Sequence, residues 1–332
     1  MTRIWRNIDG KAGVSGQTGA ALEGKGERLG DLVLHVGFGR CATTTLQHAV
    51  LAKHPQVVLL GRPYKDPDTR VLLHRVMTEE SLTYDGNELR SVITSARKAL
   101  RQPRILVLSD ENLVASRFDV GLIAERLRAA CYPCRVVLTV REQRSWMRSY
   151  FLSGGGNARD EHGEKLGYRK CWRQWMSGYL RSRYSRTNQL AGLRYYSVAS
   201  CYARAFGREN LTVLPFEKLR ENPESWASDA ARAFCLSEPE FKSLLTQKHE
   251  KKSPGPRMAA LRAFHPAALA SLPLKKWTNL PRLAWQCLRG DSNRSMSFAP
   301  WLPELRKLYA EDNRKLGEAF DLPLGKYGYL LD

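Results

Sequence analysis

Gly37-Phe38-Gly39-Arg40-Cys41-Ala42-Thr43-Thr44 is a run of small and hydroxyl-bearing residues with one cation in it, set between an apolar stretch and a segment of helical periodicity. That context suits an anion. The free N–H groups of a helix start point at a ligand, and the helix dipole adds about half a positive charge there. Set against the nucleotide-triphosphate loop GxxxxGK[ST], Gly37 takes the first glycine's place and Ala42 replaces the second. Thr43 stands where the lysine belongs, and Thr44 supplies the hydroxyl. A kinase needs that ammonium between the β- and γ-phosphates, and threonine cannot replace the charge. The cation sits three residues earlier instead, at Arg40. Its guanidinium can reach two oxygens of one anionic group, for a gross attraction of about 4 kcal/mol at ~4 Å and an effective dielectric near 20. The plainer reading is a tight strand–helix turn with an incidental arginine.

The loop resembles the 5′-phosphosulfate loop of sulfotransferases, whose pattern runs G-x-x-[KR]-x-G-T-[TS]-x-x-L. Gly37, Arg40, Thr43 and Thr44 match it; Ala42 departs from it, and Leu46 falls one position early. A second motif follows the apolar run Arg135–Val140: Arg141, then Ser149 eight residues on. Sulfotransferases carry an arginine and a serine at this position and spacing, both bound to the donor's 3′-phosphate. An arginine fork and a hydroxyl suit a dianionic phosphate that ATP lacks. More diffuse similarity runs through Tyr202–Leu219 and through 309–316, ending in Tyr327-Gly328-Tyr329. Lys251, Lys252, Gly255 and Arg257 loosely match the family's late basic nucleotide loop.

The resemblance, closest to bacterial glycan-type members, implies a three-layer α/β/α fold around a parallel sheet, like that of P-loop nucleotide hydrolases. It implies transfer of a sulfuryl group from 3′-phosphoadenosine 5′-phosphosulfate to an acceptor hydroxyl or amine, without a metal. Gly37, Phe38, Gly39, Arg40, Cys41, Ala42, Thr43 and Thr44 then hold the 5′-phosphosulfate end, with Arg40 on the transferred group, while Arg141 and Ser149 hold the 3′-phosphate. Positioned cations and N–H donors carry most of such an in-line transfer.

The acceptor must also lose a proton, so a base belongs near the loop. The run Ile105–Leu108 ends in Ser109-Asp110-Glu111-Asn112, which places Asp110 and Glu111 at the carboxyl end of a strand, where ligands bind in such sheets. Glu111 is the first choice and Asp110 the second, with helix capping by Ser109 or Asp110 as the competing role. Arg62 and Lys65 are candidates for binding sulfate or acceptor, and His35 reads as a strand-interior histidine.

These residues need a scaffold, and the pattern supplies one. Short apolar runs at Leu32–Val36, Gln56–Leu60, Ile105–Leu108, Arg135–Val140 and Leu211–Leu214 read as buried strands. Helical periodicity at 43–53, 86–101, 119–130 and 223–235 alternates with them, and 302–320 closes the chain as an amphipathic helix. Alternation of this kind predicts a parallel sheet wrapped by helices in one α/β domain over 31–332. Residues 1–30, with seven glycines, read as a flexible tail, and 250–300 as irregular or short helices.

Composition narrows the remaining classes. The chain has 332 residues, 43% of them hydrophobic, which is enough for a buried core and excludes a disordered chain. No apolar run approaches the ~18–20 residues of a membrane span, and no secretory h-region is visible, so a cytoplasmic protein, peripheral at most on the inner membrane surface, is expected. Seven scattered cysteines predict reduced thiols; Cys131-Tyr132-Pro133-Cys134 lacks the second pair or thioredoxin-like context that a redox or metal site needs.

The 53 basic and 33 acidic residues give +20, and 131–210 holds 15 basic against 5 acidic, a net of +10. Such a field attracts anions, but charge alone does not choose among them: an anionic glycan acceptor is the hypothesis, beside a basic surface that serves only donor capture and a merely solvated face. Tyr168, Trp172, Trp175 and Tyr179 fall on one helical face, read as core rather than as a base-stacking platform. With no RNP, KH or zinc-finger signature, nucleic acid is a weak alternative. A small P-loop kinase and a non-catalytic basic binding protein are the rival classes.

Overall fold

The computed structural model describes residues 32–64, 67–100, 104–115, 117–152, 172–183, 188–247 and 296–332. The proposed N-terminal tail and Lys65, Tyr168, Lys251, Lys252, Gly255 and Arg257 lie outside them. Five strands form one sheet: β1 (Leu32–His35), β2 (Val57–Gly61), β3 (Ile105–Ser109), β4 (Arg135–Val140) and β5 (Leu211–Pro215). Their order is β2-β3-β1-β4-β5, and every adjacent pair is parallel.

Parallel strands need crossovers, and the helices between them bury both faces of the sheet. Leu32, Leu34, Leu106, Leu108, Val136 and Leu138 face one layer, which contains α2 (Pro67–Thr78), α3 (Asn87–Ala99), α4 (Val120–Cys131), α7 (Tyr195–Phe206) and α11 (Leu302–Phe320). Val33, Val107, Val137 and Leu214 face the other, built on the π-helical stretch Leu46–Leu51, α9 (Pro223–Ala233) and α10 (Glu238–Gln247). The architecture is therefore three-layered α/β/α, as the alternating pattern predicted. Two nearly continuous apolar faces explain why the strands read as apolar runs rather than as alternation.

Chain order sets the crevice. From β1 the chain crosses outward to β2, returns to β3, and only then passes to the opposite side as β4. The connections after β1 and β3 thus part in opposite directions, and ligands bind outside the strands' carboxyl ends at such a switch point.

Helix α6 (Trp172–Arg181) carries the aromatic stripe into the core, with Trp175 and Tyr179 wholly buried and Trp172 stacked on Trp175 at 5.6 Å. The core reading of that stripe holds for these three rings. Helix α2 is not among the helices that the periodicity predicts: its apolar residues are diluted by Arg70, His74 and Arg75, and its start is marked by Pro67 and Asp68 in the first turn alone. Helix α5 (Gln143–Leu152) starts directly after the Arg141 motif, and Glu142 accepts from the Arg144 and Ser145 amides at its first turn.

Candidate functional site

The loop after β1 is held open by contacts from β4 and α5. Gly37 is needed by close approach: a Cβ there would lie 1.8 Å from Thr139 Oγ1. Trp146 Nε1 donates to the Gly39 carbonyl at 2.7 Å, and Arg141 Nη1 donates to the Arg40 carbonyl at 2.9 Å. A trans peptide sends its N–H opposite to its C=O, so anchoring carbonyls on the α5 side turns amides the other way. The Cys41 amide is used by the Phe38 carbonyl at 3.2 Å. Those of Gly39, Arg40 and Ala42 have no acceptor among the described residues. Helix α1 (Thr43–Thr45) then begins with no side-chain cap, so its first N–H groups are free as well.

This geometry carries strain. Arg40 and Ala42 both have left-handed backbones, φ 71° and 66°, costing of order 1 kcal/mol each for residues with a Cβ. The position at which the sulfotransferase pattern has glycine is thus one where this chain places alanine against its backbone preference. Within the loop Cys41 and Thr43 are buried, whereas Arg40 and Thr44 are exposed. Burial pushes the Cys41 thiol well above its ordinary range.

Arg141, at the end of β4, is fixed on several sides. Its Nε donates to Ser145 Oγ at 3.0 Å and its guanidinium lies 4.5 Å from the centre of the Phe216 ring. Burial lowers its pKa, partly offset by Cys41 and Glu217 nearby. Glu217 opens α8 (Phe216–Glu221); it accepts from the Glu142 amide at 3.0 Å and the Tyr329 hydroxyl at 3.1 Å, and burial raises its pKa. The two sequence motifs therefore meet: the side chain of one arginine grips the main chain of the other. Ser149 is buried one turn beyond Ser145 on α5 and does not line the cleft described next.

Beside the loop lies a cleft of about 190 Å³. Arg40, Glu111 and Asn112 form its charged and polar side, while Phe38, Val114, Trp146, Tyr150 and Leu193 form its apolar walls. Trp146 and Tyr150 stack at 4.7 Å on consecutive turns of α5. Of these walls only Phe38 is among the residues expected from sequence; the four-residue spacing of Trp146 and Tyr150 within the Arg141 motif is the signal that points to the other two aromatics.

The two carboxylates after β3 part ways. Asp110 is almost wholly buried and caps the short 3-10 turn Glu111–Val114 through the Asn112 amide at 2.8 Å. The same oxygen accepts from Arg62 Nε at 3.2 Å, and the other accepts from the Tyr64 hydroxyl. The capping alternative thus applies to Asp110: with both oxygens engaged it is poorly placed to take a proton. Glu111 lines the cleft with Arg40, and its Oε2 is buried with no partner among the described residues. Arg62 is tied to these carboxylates rather than standing free.

His35 is strand-interior, as expected, and hydrogen-bonds Ser109 Oγ through Nδ1 at 2.8 Å. Gln47 Nε2 donates to the same hydroxyl at 3.0 Å. Burial lowers the His35 pKa to about 3.

Among the described residues no three His, Cys, Asp or Glu side chains cluster as metal ligands, and no helix is long and apolar enough to cross a membrane. No protein-family model and no curated protein matches the chain. Among solved structures, a sulfotransferase from Alicyclobacillus acidocaldarius is similar over 91% of this chain and 99% of that one, at 16% identity and a TM-score of 0.47.

Proposed function

We propose that this chain moves a sulfuryl group from 3′-phosphoadenosine 5′-phosphosulfate to an acceptor hydroxyl or amine. The observation that supports the reading is the Arg141–Arg40 hydrogen bond, which joins the two motifs that would hold opposite ends of one doubly phosphorylated ligand. The free loop amides, the start of α1 and Arg40 suit the 5′-phosphosulfate, where charge shifts to the leaving phosphate as the sulfur–oxygen bond breaks. Arg141, with its second nitrogen on Ser145, suits the 3′-phosphate, and Ser149 belongs to that same end. Glu111, in the cleft with Arg40, is the base that takes the acceptor proton, so Asp110 serves as its anchor.

The charge of +20 favours an anionic glycan as acceptor. Several arginines of the basic stretch are engaged within the fold, Arg183 with Glu304 and Arg208 with the Ala319 carbonyl, so the acceptor field rests on the remainder. Turnover on such an acceptor falls steeply with salt. The described cysteines are all unpaired, which fits a cytoplasmic setting.

Calorimetric titration tests the donor assignment. The 3′,5′-bisphosphate of adenosine should bind in preference to ATP, with Arg40→Ala and Arg141→Ala each weakening it at least ~30-fold, the loss usual for one partner of a partly buried charge pair. A preference for ATP with magnesium would instead mark a kinase. Indifference to both alanines would leave a non-catalytic basic protein.

A further inference from the structure

Glu111 stands where three elements meet. Its Oε1 lies 3.7 Å from Arg62 Nη1, whereas Oε2 is buried and unpartnered. Arg62 is itself fixed. Its backbone N–H donates to the Ser109 carbonyl at 2.8 Å and its Nε to Asp110 Oδ1, while Asp110 is held by Tyr64 and by the Asn112 amide. Gly61 permits this approach: its φ is 99°, and a Cβ there would meet the Ser109 carbonyl oxygen at 2.3 Å. The end of β2 therefore lies flat against the end of β3 and delivers Arg62 over both carboxylates. The other charged or ionisable groups around Glu111 are Asp110 and Tyr64, Arg40 across the cleft, Cys41 in the loop, and Arg117, which donates to Asn112 Oδ1 at 3.2 Å.

We propose that Arg62 is a positioning residue, pairing with Glu111 Oε1 so that this carboxylate is held at the cleft to take the acceptor proton, and that it does not itself bind sulfate or acceptor. An exposed ion pair is weak because two long side chains must be ordered to make it. Here one partner is already ordered, its Nε tied to a capped aspartate, so the guanidinium can fix the glutamate at little further entropic cost. The inference rests on Glu111 being the base of the proposed transfer. In that step the acceptor O–H proton goes to the Glu111 carboxylate and the acceptor oxygen bonds to sulfur. The sulfur–oxygen bond to the 5′-phosphate breaks, and the bisphosphate keeps the electron pair.

The test is a double-mutant cycle of Arg62→Gln, Glu111→Gln and the pair. It reads bisphosphate release from 3′-phosphoadenosine 5′-phosphosulfate with water as acceptor, and bisphosphate affinity by calorimetry. If Arg62 acts through Glu111, Glu111→Gln slows turnover about 100-fold and Arg62→Gln about 10-fold, while the pair is no slower than Glu111→Gln alone. Arg62→Lys then recovers part of the rate, and KM and bisphosphate affinity stay within about threefold of wild type. Multiplying effects in the pair, or a raised KM with kcat unchanged, would overturn the proposal by making Arg62 a substrate contact. If the wild type binds no bisphosphate, the donor reading fails on its own, and melting the same four proteins still judges the pairing. Non-additive losses in Tm support the Arg62–Glu111 link; additive ones refute it. Should Arg62→Gln not fold, Arg62→Lys takes its place in the cycle.

Discussion

The Gly37–Thr44 loop and the Cys131–Cys134 turn both carry short motifs, and they lie at opposite ends of the same sheet. The loop leaves the carboxyl end of β1; the turn joins α4 to the amino end of β4. At the turn the two cysteines are closed off, although Tyr132 between them is exposed. Both thiols are buried, and burial pushes Cys131 up to about 12 and Cys134 well above its ordinary range. Arg97 donates to the Cys131 carbonyl at 3.0 Å and to that of Pro133. At the loop, amides are free, two residues with a Cβ sit in left-handed conformations, and Glu111 keeps an unpartnered oxygen. What separates the two ends is the cleft: the free loop amides and Arg40 lie beside one, at the end where α/β sheets bind ligands, whereas at the turn Arg97 covers the backbone carbonyls. A motif's position on the sheet thus says more than its letters.

Three substitutions at the loop end sharpen the contrast. The largest effect falls on rate: Glu111→Gln should lower turnover about 100-fold with bisphosphate affinity within about threefold, as expected for loss of a proton acceptor. Steady-state kinetics beside calorimetry check it, and an unchanged kcat would return the base to Asp110 or to water. Next comes packing. Gly37→Ala drives a methyl group into Thr139 and should cost about 1–3 kcal/mol, whereas Gly39→Ala, with nothing within 4 Å of its Cβ, should be neutral in thermal melts. Equal Tm values for the two would mean that the loop is not pinned to β4.

The two ends also respond to opposite pH extremes. His35 is held neutral to about pH 3 against an ordinary value of 6.5, so its share of stability is full above 6.5 and is lost as pH falls through that window. Cys131 is held protonated to about pH 12 against 9.0, so its share is full below 9 and is lost as pH rises toward 12. Each slope is at most about 1.4 kcal/mol per pH unit, one proton's worth. Denaturant midpoints across pH should therefore show His35→Gln flattening the acid limb alone and Cys131→Ala flattening the alkaline limb alone.

Much of this was legible in the chain. All five strands lie within a residue of the apolar runs that predicted them, because a sheet covered by helices selects apolar residues along most of each strand, even in the half-buried edge strand β2. Arg40 and Arg141 were found by the strand context of their motifs, although the Gly39 and Arg40 carbonyl clamps were not, since backbone acceptors leave no trace in residue type. Glu111 and Asp110 are adjacent, with Glu111 the first choice on sequence; the capping bond, which engages Asp110, sets them apart in the fold. Arg62 was noticed as a cation, but its role depends on Gly61 letting two strand ends touch, a contact between residues 48 apart in sequence. The walls at Trp146 and Tyr150 were hidden because a helical aromatic pair reads equally well as core.

The smallest predicted effect concerns Ala42. At φ 66° it occupies a conformation that glycine adopts without cost, and its own Cβ makes it strained by of order 1 kcal/mol. Ala42→Gly relieves that strain but adds freedom to the unfolded chain, worth about 0.4–1 kcal/mol in the opposite sense. The two nearly cancel, so Tm should move by no more than a few degrees, in contrast to Gly37→Ala. Binding separates the remaining possibilities. If the left-handed turn at 42 is what aims the loop amides, glycine preserves it and bisphosphate affinity stays within about threefold. Ala42→Val, whose branched side chain tolerates that conformation poorly, should lose both affinity and stability. A valine variant that binds as tightly as wild type would show that the loop's strain has no part in holding the donor, and the contrast between the two ends of the sheet would then rest on Arg141 and Glu111 alone.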